Sequence, residues 1–154
     1  MIDIAIQKQI ASVLRNIGSP TCLEQAELLE STETVFRSLH LRGLELNFWH
    51  IEAIANCLKQ AEGRCNQLKS VSFSYNSLGN AGVATLIKSL PSSVTEIGLV
   101  NCGISDTGGT EILDWMKNRQ NIQMVCIEQN NYSTALRAVF QWSSNTHPDI
   151  LFVF

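Results

Sequence analysis

From Leu68 onward the apolar positions keep a mixed schedule. Leu68, Val71, Phe73 and Leu78 are separated by three, two and five positions, with Asn76 as a polar member before Leu78. Gly82, Leu86 and Leu90 follow at steps of four. The two-step is the period of a strand with one buried face, and the four-step marks one face of a helix. The schedule then repeats. A second copy falls on Val94, Ile97, Leu99, Cys102 and Ile104, continued by Gly108, Ile112 and Met116. A third, slightly longer in pitch, falls on Ile122, Val125, Ile127, Asn130 and Tyr132, continued by Leu136 and Phe140. A looser copy precedes Leu68: Phe36, Leu39, Leu41, Leu44 and Leu46, then His50, Ile54 and Leu58. Its excess length falls in the polar stretch Glu62–Gln67. A fragment closes the chain, with Ile150 and Val153 in line with Ile122 and Val125 at the pitch that separates Val94 from Ile122.

The spacing predicts strands near 37–42, 69–74, 95–100, 123–128 and 150–154, with helices near 47–60, 80–90, 106–118 and 133–143. Before them, Ile2, Ile6, Ile10, Val13, Leu14 and Ile17 form a helical stripe ended by Gly18, and Ser19-Pro20 opens a second helix to about residue 30. Residues 1–34 are read as an N-terminal helical cap and 35–154 as about four repeats plus a fragment, together one structural domain.

A repeat of this pitch cannot bury its apolar face alone, so stacking of at least about three copies is what makes a core. LKSVSFSYNSLGNAGVATLIKSL and VTEIGLVNCGISDTGGTEILDWM match L-x-x-L-x-L-x-x-N/C-x-L in full. The segment from about residue 35 to 154 therefore resembles the leucine-rich repeat, whose pitch is roughly 20–29 residues. The steps from Leu68 to Val94 and from Val94 to Ile122 lie toward the long end of that span and hold a full helix, which is similar to the ribonuclease-inhibitor subfamily. The first copy departs from the pattern, with Leu44 at the Asn/Cys position and His50 at the Gly position, which bears on the shape of its turn. The resemblance implies an α/β solenoid, with a short curved parallel sheet on the concave side and helices on the convex side. It also implies that partners dock on the concave sheet.

Within that frame individual residues acquire expected roles. Asn76 and Asn130 satisfy backbone groups where the chain leaves a strand, and Cys102 takes the same place as a small, mostly apolar donor. Asn80 and Asp106 are read as helix N-caps. Gly82 and Gly108 let their helices approach the strand layer. Trp49, Trp115 and Trp142 are assigned to core or inter-repeat packing. At the C-terminal edge strand, Phe152 or Phe154 either folds over the core or stays open for pairing with another chain.

Composition narrows the function. In 154 residues, 45% are hydrophobic and 16% charged, the balance of a globular domain. Net charge is -3, and the Lys and Arg residues are spread along the chain, so no basic patch fits a phosphate backbone. No apolar run suits a membrane span, and Asp3, Lys8 and Gln9 break any leader-like N-terminus. Cys22, Cys57, Cys65, Cys102 and Cys126 lack the spacing of a disulfide framework or zinc site and are read as reduced thiols. The expected compartment is the cytoplasm, or a host cytosol for a bacterial effector. Asn131-Tyr132-Ser133 is then a chance sequon.

No catalytic, cofactor or metal constellation is read from the chain. His40, His50 and His147 fall on a strand, a helix start and a loop. Gly108-Gly109 lacks the signature of a phosphate loop. Glu27 and Glu30 are read as a solvated helix face. The candidate partner-binding residues are the outward strand positions: His40 and Arg42, beside Ser38; Ser72, Ser74 and Tyr75, beside Ser70; Glu96 and Val100, beside Gly98 and Asn101; Met124, Cys126 and Glu128, beside Gln129; and Phe152, with Phe154 extending the row. Solvent-facing apolar side chains on a sheet mark a contact surface, so the Val100, Met124, Cys126 end is expected to carry most of the binding, with Tyr75 as an aromatic anchor. The expected function is non-enzymatic binding of a partner protein as an adaptor, regulator or effector. The alternative is a scaffold that self-associates, as a homodimer through residues 150–154.

Overall fold

The computed structural model describes residues 2–31, 36–63 and 67–154. Along the chain run α1 (Ile2–Ile17), α2 (Pro20–Ser31), β1 (Ser38–His40), α3 (Phe48–Gln60), β2 (Ser70–Ser72), α4 (Gly79–Ser89), β3 (Glu96–Gly98), α5 (Asp106–Lys117), β4 (Met124–Cys126), α6 (Thr134–Thr146) and β5 (Leu151–Val153). The protein is α/β. Its five strands form one parallel sheet in the order β1-β2-β3-β4-β5, each beside its sequence neighbour. Cys65, the excess residues 64–66 of the first copy, the division between residues 34 and 35, and the side chain of Ile2 lie outside the described residues.

The predicted strand cores and helices fall where the spacing places them, with shorter ladders. In every strand the middle residue is buried (Leu39, Val71, Ile97, Val125, Phe152) and its neighbours are open to some degree. One sheet face therefore meets the core and the other stays open. α3 packs on α4, α4 on α5 and α5 on α6, while α1 and α2 pack together and α1 reaches α3. Ile6, Ile10 and Leu14 are the buried part of the α1 stripe.

What fixes each turn is an amide from the next copy. Asn76 is buried, and its Oδ1 accepts from the amides of Leu44 and Leu46, each at 3.0 Å. Its Nδ2 donates to the carbonyls of Leu41 (2.7 Å) and Phe73 (2.9 Å). Asn130 repeats this on Cys102, Ile104, Leu99 and Ile127. Cys102 donates its thiol to the Phe73 and Val100 carbonyls, as expected of a small donor. The asparagine serves the preceding copy, so Leu44, in the first, has no earlier strand turn to serve and is free to be apolar.

Two helix-start assignments need correction. Asn80 lies inside α4, and its Oδ1 accepts from Ser105 and Gly108 at the start of α5. Asp106 is the first residue of α5, after the N-cap Ser105, and its carboxylate accepts from the amide and hydroxyl of Ser133, the N-cap of α6. Those bonds hold the Asp106 carboxyl below its ordinary range. Both side chains cap the neighbouring helix instead of their own. A Cβ on Gly108 would come within 2.6 Å of Asn80 Oδ1 and Ile104 Cγ2, so that glycine admits the capping amide. At the start of α3, Asn47 and His50 form a reciprocal capping box.

Of the tryptophans only Trp115 is buried; Trp49 and Trp142 are 71% and 63% exposed, against the packing role expected of them. At the C-terminal end Phe140 is ringed by Tyr132, Phe152 and Phe154, with centroids 4.9–5.4 Å away. Phe152 and Phe154 thus close over the core. Val83 and Ile87 on α4, then Gly109 and Leu113 on α5, are buried at matching positions; on α6 those positions are the exposed Arg137 and Gln141. The outer flank of α6 is polar where the inner flanks are apolar.

Asn76→Ala strands two buried donors and two acceptors, and at about 1–3 kcal/mol for each unsatisfied group it should cost at least about 3 kcal/mol in urea unfolding. Asn80→Ala removes a cap and should cost about 1 kcal/mol. Equal losses would contradict the role given to the Asn76 amide.

Candidate functional site

The ladder brings the open positions into rows that run across the strands. The first row is Ser38, Ser70, Glu96, Met124 and Leu151. The second is His40, Ser72, Gly98, Cys126 and Val153. Backbone bonds from Gly43 to Ser74, Tyr75 to Val100 and Asn101 to Glu128 extend the register to a third: Arg42, Ser74, Val100 and Glu128.

These rows line a groove of about 310 Å³. It gathers His40, Arg42, Ser72, Ser74, Tyr75, Val100, Met124, Cys126 and Glu128 from the sequence-derived set. Its floor is Gly98, which spacing alone puts in the row without a role. A Cβ there would lie 3.0 Å from Ser72 Oγ and 3.3 Å from Ser74 Oγ, so the glycine keeps a hollow at the centre of the sheet.

Two members of the set, Phe152 and Glu96, sit elsewhere, and a third, Ser74, lies in the groove but is buried. Phe152 pairs with Val125 and is 8% exposed, whereas Leu151, beside Met124, is 58% exposed. Spacing aligns Val153 with Val125, but the ladder aligns Val153 with Cys126, a single-position slip that exchanges the two faces of the strand. Leu151 and Val153 extend the open rows, and Phe152 belongs to the core; Phe154 joins its ring cluster. Ser74 is buried, with its hydroxyl accepting from the Val100 amide at 3.0 Å, so it shapes the floor and offers no free hydroxyl. Glu96 stands beyond the groove, at a second depression with Lys69, Thr95 and Gln123.

Each of the first four strands leaves the sheet through a left-handed residue at one register position: Gly43, Tyr75, Asn101 and Gln129, with φ between 50° and 61°. Glycine tolerates this freely and asparagine fairly well; a tyrosine does so at a cost. Tyr75 nonetheless presents its ring there, with the Arg42 guanidinium 5.1 Å from the ring centroid. Among the described residues no carboxylate pairs with Arg42. His40 Nε2 lies 2.9 Å from Ser70 Oγ, and among the described residues no third side chain is hydrogen-bonded to the imidazole.

The other end of the groove is acidic. Glu128 Oε2 is buried with no hydrogen-bond partner among the described residues. Burial, then Glu128 and Glu96, push the Cys126 thiol up. Burial pushes Cys102 up to about 11. Cys22, Cys57, Cys102 and Cys126 are all unpaired thiols.

A raised pKa means less thiolate at a given pH, and thiolate is what alkylates. Cys126 should therefore react with iodoacetamide at pH 8 more slowly than an unstructured cysteine, and Glu128→Gln should speed it, as read by mass spectrometry. No change in rate would contradict the closeness of Glu128. Tyr75→Gly and Tyr75→Ala both remove the ring, but only glycine relieves the backbone. The glycine variant should be the more stable by about 1 kcal/mol in urea; an equal midpoint would show that residue 75 carries no strain.

No model of a known protein family matches the chain, and no curated protein matches it.

Proposed function

We propose that the protein is a non-enzymatic interaction module of leucine-rich-repeat type, a solenoid that binds a partner protein on its concave sheet face. The observation that carries this reading is the groove over Gly98, into which three strand-crossing rows bring cationic, apolar and anionic side chains together. Small side chains at its centre (Ser72, Gly98) leave backbone and apolar walls accessible, and its rim carries a strained aromatic residue beside an arginine that has no carboxylate partner among the described residues. Strained residues persist where the surroundings hold them, and they collect at binding sites. Such a module acts as an adaptor, a regulator, or an effector in a host cytosol. No described helix is long and apolar enough to cross a membrane.

A second reading, a scaffold that self-associates through β5, is favoured by its place at the sheet edge and by the exposed Leu151. The polar outer flank of α6 weighs against stacking of a whole further unit there. Deleting residues 150–154 would also remove Phe152 and Phe154 from the core, so Leu151→Lys is the cleaner probe of that edge.

Met124→Glu places a charge on the groove wall at a half-open position. It should abolish capture of a partner from cytosolic lysate while leaving circular dichroism and the urea midpoint unchanged. Capture that survives Met124→Glu would contradict the concave-face assignment. A dimer in light scattering that Leu151→Lys dissociates would favour the scaffold.

A further inference from the structure

The third row is electrically polar. Arg42 stands at its β1 end and Glu128 at its β4 end, with Ser74 and Val100 between. The Arg42 guanidinium stacks on Tyr75 without a carboxylate partner among the described residues, so its N–H edge is available for a bidentate acid. Glu128 holds a carboxylate oxygen buried and, among the described residues, without a donor, a costly state that an incoming cation relieves. The row thus lacks an anion at one end and a cation at the other.

Spacing sets the shape of what supplies them. Arg42 and Glu128 are three strand steps apart, about 14 Å at the usual spacing of parallel strands. An extended chain rises about 3.3 Å per residue and returns to the same face every second residue, so side chains four positions apart stand about 13 Å from one another. The hollow above Gly98 is flanked by Ser72 and Cys126, two strand steps or about 10 Å apart. A helix is about 10–12 Å across with its side chains and would bridge that hollow, whereas one side chain of an extended segment enters it.

We infer that the groove takes an extended peptide segment with an acidic and a basic side chain four residues apart, the acid on Arg42, the base on Glu128, and an apolar residue midway, over the step between Ser74 and Val100. The inference rests on the groove being the binding face, so the test separates the two. A phage-displayed library of random octapeptides is selected on the native protein, on Met124→Glu and on Arg42→Glu, with folding of each checked by circular dichroism. Peptides enriched on the native protein should carry acid-x-apolar-x-base, in either chain direction, and should disappear on Met124→Glu. On Arg42→Glu the acid should be replaced by a second base. A synthetic peptide of the native pattern should lose about fivefold in affinity with Arg42→Ala and likewise with Glu128→Gln. Enrichment that depends on Met124 but shows no charge pattern would overturn this inference and leave the groove as the binding face. Enrichment indifferent to Met124→Glu, or none above a blank surface, would overturn both.

Discussion

The structure depends on a side-chain amide that reaches backward. Asn76 and Asn130 each hold the turn of the copy before them, accepting two backbone amides and donating to carbonyls on both copies. Past the left-handed residue that ends each register the chain turns away from its neighbour, so the backbone amides of Leu44 and Leu46, or of Cys102 and Ile104, are taken by a side chain instead of a strand, and buried backbone groups must be paired. The amide does this only if neighbouring copies keep the same register. Register is therefore enforced where each strand ends, and strict register is what aligns open positions into rows. Asn80 and Asp106 extend the same logic to the helix layer, since each caps the helix of the following copy.

The groove follows from that alignment. Arg42, Val100 and Glu128 come from separate copies, and none has significance alone. In register they become one row with opposite charges at its ends and an apolar middle, above a hollow kept open by Gly98. Tyr75 sits where the chain needs a left-handed residue and where Gly43 serves the first copy without strain. A ring at that point gives up some stability and gains a rigid surface under Arg42.

Much of this was legible because strand and helix periods alternate within one repeat. Strand cores, helices and the buried members Leu39, Val71, Ile97 and Val125 follow from spacing, as do the roles of Asn76 and Asn130. The last strand does not, because Leu151, Phe152, Val153 and Phe154 are all apolar and an alternating period cannot be read from them. Spacing puts Phe152 outward for that reason. Ser74 sits at an outward position yet is drawn under the surface by its bond to the Val100 amide on the next copy, a contact that no local pattern shows. Asn80 and Asp106 have the chemistry of caps, and only the packed structure shows whose helices they cap. Trp49 and Trp142 show that a large apolar residue on a helix need not face inward.

Photo-crosslinking from two positions tests most directly whether the open sheet face is the binding surface. A photoreactive side chain at His40 sits at the end of the second row, and one at Ala138 sits on the exposed surface of α6. In lysate of the cells that express the protein, irradiation should join a partner to the chain from position 40 and not from position 138. A partner joined from position 138 alone would place binding on the helices and contradict the account.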